Sequence, residues 1–184
     1  MGGVDKGLQL LHGKPLAGWV LERFSPQVST VLLSANRNIA SYTAFGHQVI
    51  TDRSEDFAGQ LAGQLAGPLA GVQAGLRAAE TEWVATVPCD SPFLPLDLVQ
   101  RLYQAIQASD ADIAVPSILG RVQRAFCLTR RCVLPQLDAF LASGERKIGL
   151  WHSTLKVCDV SFDGQEAAFA NLNTPDDLSA SSLP

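Results

Sequence analysis

The sequence predicts a layered α/β fold with a mainly parallel central sheet. Three observations carry that prediction. Short apolar runs rich in β-branched residues alternate along the chain with stretches whose apolar residues recur at helical spacing. The run WVATVPCD at 83–90 is apolar on both pleat faces, the pattern of a strand in the middle of a parallel sheet covered on both sides. Three such runs end on polar residues, Asn36, Asp52 and Asp90, and ligands of open α/β sheets bind beyond the carboxyl ends of the strands.

The elements follow in order. MGGVDKGL reads as a glycine-rich loop, and Pro15 in GKPL suits a first helical position. Leu16, Trp19, Val20 and Phe24 then make one apolar helical face. TVLLSAN at 30–36 is a strand that delivers Ser34 to Asn36 at its end, and HQVITD at 47–52 is a second strand ending on Asp52. Between residues 58 and 75 the four-residue unit of AGQLAGQLAGPLAGVQAG recurs. That period is too short for a solenoid, so the expectation is a mobile loop leading into a glycine-weakened helix. After WVATVPCD, Pro92 and Pro95 break the chain before a helix with Leu98, Leu102, Ala105 and Ile106 on one face. DIAVPSI and RAFCLT are further strands, residues 133–141 a helix, LKVCDVSF a strand, and PDDL a short terminal helix begun by Thr174 and Pro175.

Length and charge bound the function. At 184 residues the chain is expected to be one domain with a proper core. A formal net charge of -4 argues against a general grip on nucleic acid or an anionic membrane. No apolar run reaches the roughly 20 residues of a membrane span and no signal-peptide pattern opens the chain, so the expected location is the cytoplasm. Cys89, Cys127, Cys132 and Cys158 form no zinc spacing. Small core thiols in a reducing compartment are the expectation for them.

Lys6 is the most pointed candidate for chemistry. Glycines let backbone N–H groups approach phosphate oxygens, and a lysine adds a compact positive charge for the same anion. A solvated lysine on a surface turn has the same sequence. Asp90, at the end of a buried strand, suits Mg2+, which takes a few hard oxygens and keeps water and phosphates as its other ligands, or else it caps a turn. Asp52 has the same two readings, or accepts a hydrogen bond from a base or sugar. Arg146 and Lys147 in GERK grip a phosphate or face water. Asn171 and Asn173, one residue apart on an extended segment, point the same way, toward a polar ring edge or into the last turn. Cys89 has no histidine placed for it, and His12, His47 and His152 lie in no hydrolase motif.

Taken together, GGVDKGL with GKPL, SANR, ITD, GPLAG, PCDSPFLP, GERK and FANLNTPDDL resemble the molybdenum cofactor guanylyltransferase family, in its order and over essentially the whole chain. Ser34 stands where relatives can carry an asparagine, and Arg124 follows Gln123 where the family often has proline. The resemblance implies a three-layer Rossmann-like nucleotidyltransferase fold with a mainly parallel, mixed central sheet. It also implies that residues 1–184 lack the family's first strand and half of its N-terminal loop, so a longer native polypeptide is expected.

The activity implied is Mg2+-dependent transfer of GMP from GTP to molybdenum-bound molybdopterin, releasing pyrophosphate. Lys6 and Asp90 would be catalytic, with Asp90 the metal ligand. Gly2, Gly3, Lys6, Asn36, Asp52 and Asp90 would bind the nucleotide, and Arg146, Asn171 and Asn173 the pterin. GTP and molybdenum-molybdopterin are the implied substrates, with molybdoenzymes or their chaperones as further partners. Two other readings remain open: a cytidylyl- or sugar-phosphate nucleotidyltransferase, and a non-catalytic binder of the cofactor or nucleotide.

Overall fold

The structure, a computed structural model, describes residues 5–51 and 67–172. Gly2, Gly3, Asp52, Asn173, the expected terminal helix and the first half of the four-residue repeat lie outside the described residues.

The first element is one the sequence pattern is too short to reveal. Strands β1 (Leu10–Leu11) and β2 (Lys14–Pro15) form an antiparallel hairpin. Its turn residues, His12 and Gly13, both have positive φ, 49° and 78°, the arrangement whose twist matches a two-residue hairpin. Pro15 therefore closes a strand and stands just before helix α1 (Leu16–Phe24), one residue earlier than expected, and the Leu16 N–H donates to the Gln9 carbonyl at 2.8 Å. The apolar face is as read: Leu16, Val20 and Phe24 are buried, with Trp19 packed beside Leu16.

Strand β3 (Leu32–Ser34) leads into helix α2 (Ile39–Thr43), and β4 (Gln48–Ile50) returns parallel to β3, with Ser34 opposite Ile50. Helix α3 (Gly67–Ala78) opens on the GPLAG of the repeat and is followed by β5 (Trp83–Thr86) and α4 (Leu98–Gln107). Leu98, Leu102 and Ile106 of α4 are almost fully buried, each worth about 1.5–3 kcal/mol relative to exposure. Strand β6 (Ile113–Ile118) turns through β7 (Arg121–Val122) to β8 (Cys127–Arg130), and α5 (Leu134–Ala142), α6 (Ile148–His152) and β9 (Val157–Ser161) complete the described chain.

The sheet is mixed. β9 runs parallel along one edge of β6, while β7 and β8 share the other edge antiparallel to it, and β8 pairs antiparallel with β5. The described partner of β5 is thus an antiparallel strand, where the apolar pattern suggested parallel neighbours. The pattern reports coverage of both faces, and that is present. Trp83 and Ala85 pack with α1 and α4, and Val84 packs with α3 and α5 on the opposite face. Ile113 and Val115 of β6 likewise point to one layer and Ala114 and Ile118 to the other, giving helix, sheet and helix layers.

Polar ties fix these layers. Gln73 and Arg77 of α3 both donate to Asp138 of α5, at 2.6 and 3.0 Å. Arg23, in the last turn of α1, and Gln27, in the 3-10 turn that follows it, donate to the carbonyls of Leu94 and Pro95, at 2.8 and 2.9 Å. The Gln27 Oε1 accepts from the Val99 N–H at 3.0 Å, so the first turn of α4 is capped from the 3-10 turn after α1. Among the described residues no helix is long and apolar enough to cross a membrane.

One buried group sets a pH response. His152 is 4% exposed, and neither ring nitrogen has a hydrogen-bond partner among the described residues. Burial, with the Arg124 charge nearby, pulls its pKa down to about 4. The stability this neutral ring carries is fully present above pH 6.5, where the unfolded imidazole is also neutral. It is lost as pH falls toward 4, because the unfolded chain then takes a proton that the folded chain refuses. His152→Phe should remove that component. In urea titrations across pH 7 to 4.5 the wild type is expected to lose roughly 2 kcal/mol more than the variant.

Candidate active site

Asp90 lies just beyond β5, 8% exposed. Its backbone is pinned from the far end of the chain. The Leu172 N–H donates to the Asp90 carbonyl at 2.9 Å, and the fully buried Ser91 hydroxyl donates to Asn171 Oδ1 at 2.6 Å. Asn171 therefore sits beside Asp90 with its amide oriented by Ser91.

Lys6 reaches the same place from the opposite end of the sequence. Residues 6–8 form a single 3-10 turn, and the Lys6 Nζ stands 3.3 Å from Asp90 Oδ2, with the lysine side chain 45% exposed. An ion pair this open to water adds at most about 1 kcal/mol to stability. Its charges can therefore be redirected to a ligand at little cost.

Cys89 immediately precedes Asp90 in the sequence. The residue is exposed, yet its thiol turns inward, where a Cβ on Gly7 would lie 3.2 Å from Sγ. Burial of the thiol, then the charges of Asp90 and Asp5, push its pKa up to about 11, which keeps it a neutral, weakly nucleophilic thiol at neutral pH. The expectation that all four cysteines are core thiols needs correction. Cys127 is buried and Cys158 half-buried, but Cys89 and Cys132 are exposed, because Cys89 sits in the loop after β5 and Cys132 in the turn before α5.

Asn36 is exposed at the carboxyl end of β3, where the Ala35 N–H still pairs with the Ile50 carbonyl at 2.9 Å. Its neighbours Arg37 and Asn38 both address Asp5, the residue before Lys6: Asn38 Nδ2 donates to Asp5 Oδ2 at 3.0 Å, and Arg37 Nε lies 3.7 Å from the same oxygen. The turn bearing Lys6 is thus tied to both the β3 end and the β5 end. Arg146 serves the scaffold in part, its Nη1 donating to the carbonyls of Leu141 and Glu145 at 2.7 and 2.6 Å. Such a contact satisfies the open carbonyls at a helix C-terminus.

Sequence reasoning missed Asp5, Tyr42 and Ser91. Asp5 could have been found as the acid next to Lys6, but nothing in the sequence links Tyr42 to the loop. Among the described residues no three His, Cys, Asp or Glu side chains stand together as a metal-binding group. A cation here would take Asp90 as a protein ligand and complete its shell with phosphate and water oxygens, a donor set that fits Mg2+.

Beyond the carboxyl end of β5 the fold thus brings an acid and an ammonium ion together, and the chain is an α/β nucleotidyltransferase. A family profile described as "MobA-like NTP transferase domain" matches residues 1–155. "Molybdenum cofactor guanylyltransferase" from Cupriavidus necator is 50% identical over 183 residues, covering 97% of this chain and 87% of its own. The chain belongs to the MobA-like NTP transferase family.

Two solved structures share the fold. "Molybdopterin-guanine dinucleotide biosynthesis protein A" from Archaeoglobus fulgidus superposes with a TM-score of 0.74 at 24% identity, covering 96% of this chain and 88% of its own. A Mycobacterium tuberculosis protein in complex with manganese gives 0.67 at 18% identity, covering 96% and 91%.

Proposed function

We propose that the protein transfers GMP from GTP to molybdenum-bound molybdopterin. A terminal phosphate oxygen of the pterin attacks the α-phosphorus of GTP. The new P–O bond forms as the bond to the β-phosphate breaks, and the electron pair leaves with pyrophosphate. The products are the molybdopterin guanine dinucleotide cofactor and pyrophosphate.

Such an in-line exchange between phosphates asks chiefly for alignment and for neutralisation of repelling charge. Lys6, with the Gly2 and Gly3 backbone, holds the triphosphate. Asp90 would hold Mg2+, which would supply positive charge to neutralise the phosphates. Asn36 and Asp52 are assigned to binding the nucleoside, and Arg146, Asn171 and Asn173 to binding the pterin. The observation that carries this reading is the Lys6–Asp90 pair at 3.3 Å, made by residues 84 positions apart. Manganese in the M. tuberculosis neighbour supports a divalent cation in this fold.

Donor choice is the direct test. With equal GTP, CTP and UTP and molybdenum-molybdopterin as acceptor, mass spectrometry of the product should show GMP addition alone. A product carrying CMP or UMP would overturn the guanylyl assignment.

A further inference from the structure

Tyr42 is buried at 6% exposure on α2, far in sequence from Lys6, and its hydroxyl donates to Asp5 Oδ1 at 2.6 Å. The other oxygen of Asp5 receives Asn38 at 3.0 Å. One carboxylate therefore clamps the first described residue of the Lys6 turn to α2 on both of its oxygens. A second contact is independent of this bond: a Cβ added to Gly7 would stand 2.5 Å from the Tyr42 hydroxyl oxygen. The turn lies directly on that hydroxyl, and glycine is the residue that allows the approach. The turn closes with Leu8 N–H to the Asp5 carbonyl at 3.2 Å and Gln9 N–H to the Lys6 carbonyl at 3.1 Å.

We infer that Tyr42 is a positioning residue for the nucleotide site: through Asp5 its hydroxyl holds the turn that aims Lys6 at the triphosphate and fixes it against the carboxyl end of β3. Tyr42, buried and bonded to Asp5, acts through that carboxylate and not on substrate directly. Burial, then the hydrogen bond to Asp5, holds its phenol far above the ordinary pKa, so the hydroxyl remains a donor at any working pH. The ring is anchored apart from this, tilted against Phe45 with centroids 6.2 Å apart, so Tyr42→Phe removes the latch and keeps the packing. The role of Lys6 in this inference rests on the reading given under Proposed function.

Two measurements on the full chain test it. By amide hydrogen exchange, Tyr42→Phe should speed exchange at Leu8 and Gln9 by about 10-fold, leaving β6 unchanged. By calorimetry, Tyr42→Phe should weaken GTP binding by about 5- to 10-fold, and the effect should vanish when added to Lys6→Ala. Exchange at the wild-type rate, or a loss of affinity that adds fully to that of Lys6→Ala, overturns the inference. If Tyr42→Phe unfolds, Asp5→Asn replaces it in the same two measurements with the same criteria. If the wild type binds no GTP while exchange at Leu8 and Gln9 responds as expected, the nucleotide reading fails and the latch stands.

Discussion

Asp90→Ala is expected to lower GMP transfer by at least about 100-fold, the loss typical when a preorganised charge-stabilising group is removed, with the fold intact. The structural work of Asp90 is done by its backbone. Its carbonyl receives Leu172 at 2.9 Å, and alanine keeps that bond. Its side chain holds Lys6 at 3.3 Å in a pair open to water, whose loss should change stability by no more than about 1 kcal/mol. Transfer assayed across a Mg2+ series, beside a thermal melt, separates the two effects. The expected result is a melt near wild type with turnover lost at every Mg2+ concentration. Near-normal transfer at limiting Mg2+ would remove Asp90 from the metal site.

Lys6→Ala should weaken GTP binding by about 10- to 100-fold, the span of one charge-assisted hydrogen bond to a phosphate oxygen. Lysine acts there as a compact point charge. Arginine is broader and flatter, so Lys6→Arg should recover part of the affinity and less of the turnover. Calorimetry with GTP reads the first effect, and affinity equal to wild type would return Lys6 to a solvated surface turn. The loss should be larger at low salt, where less of the lysine's attraction is screened.

The long elements were legible because burial imposes a period. α1, α4, β5 and β6 show it over several residues; the structure buries apolar residues of α1, α4 and β6 and packs half-buried Trp83, Val84 and Ala85 of β5 against the clusters on its two faces. β1, β2, β7 and the five-residue helices α2 and α6 were not legible, being too short for a period to develop. Strand direction was hidden for another reason. An apolar run reports what covers a strand and is silent on which way its neighbour runs, which is why β8 beside β5 had to be seen.

The same division holds at the site. Lys6, Asn36 and Asp90 stood out because glycines or a strand end flag them. Tyr42 is a core aromatic by its sequence and acquires a role only through the fold that brings its hydroxyl to Asp5. Arg146 was picked out by its charge and by the GERK motif, and the structure shows one of its hydrogen bonds bracing the end of α5 at Leu141 and another going to the Glu145 carbonyl beyond it.

The central claim is that the site transfers a nucleotide between phosphates. It is tested most directly with GTP labelled at the α-phosphate, incubated with the protein, Mg2+ and molybdenum-molybdopterin. The label should move to the pterin product with one pyrophosphate released per label transferred, and neither should appear without the acceptor. Label that stays in GTP, or that emerges as free GMP whether or not the pterin is present, would contradict the account.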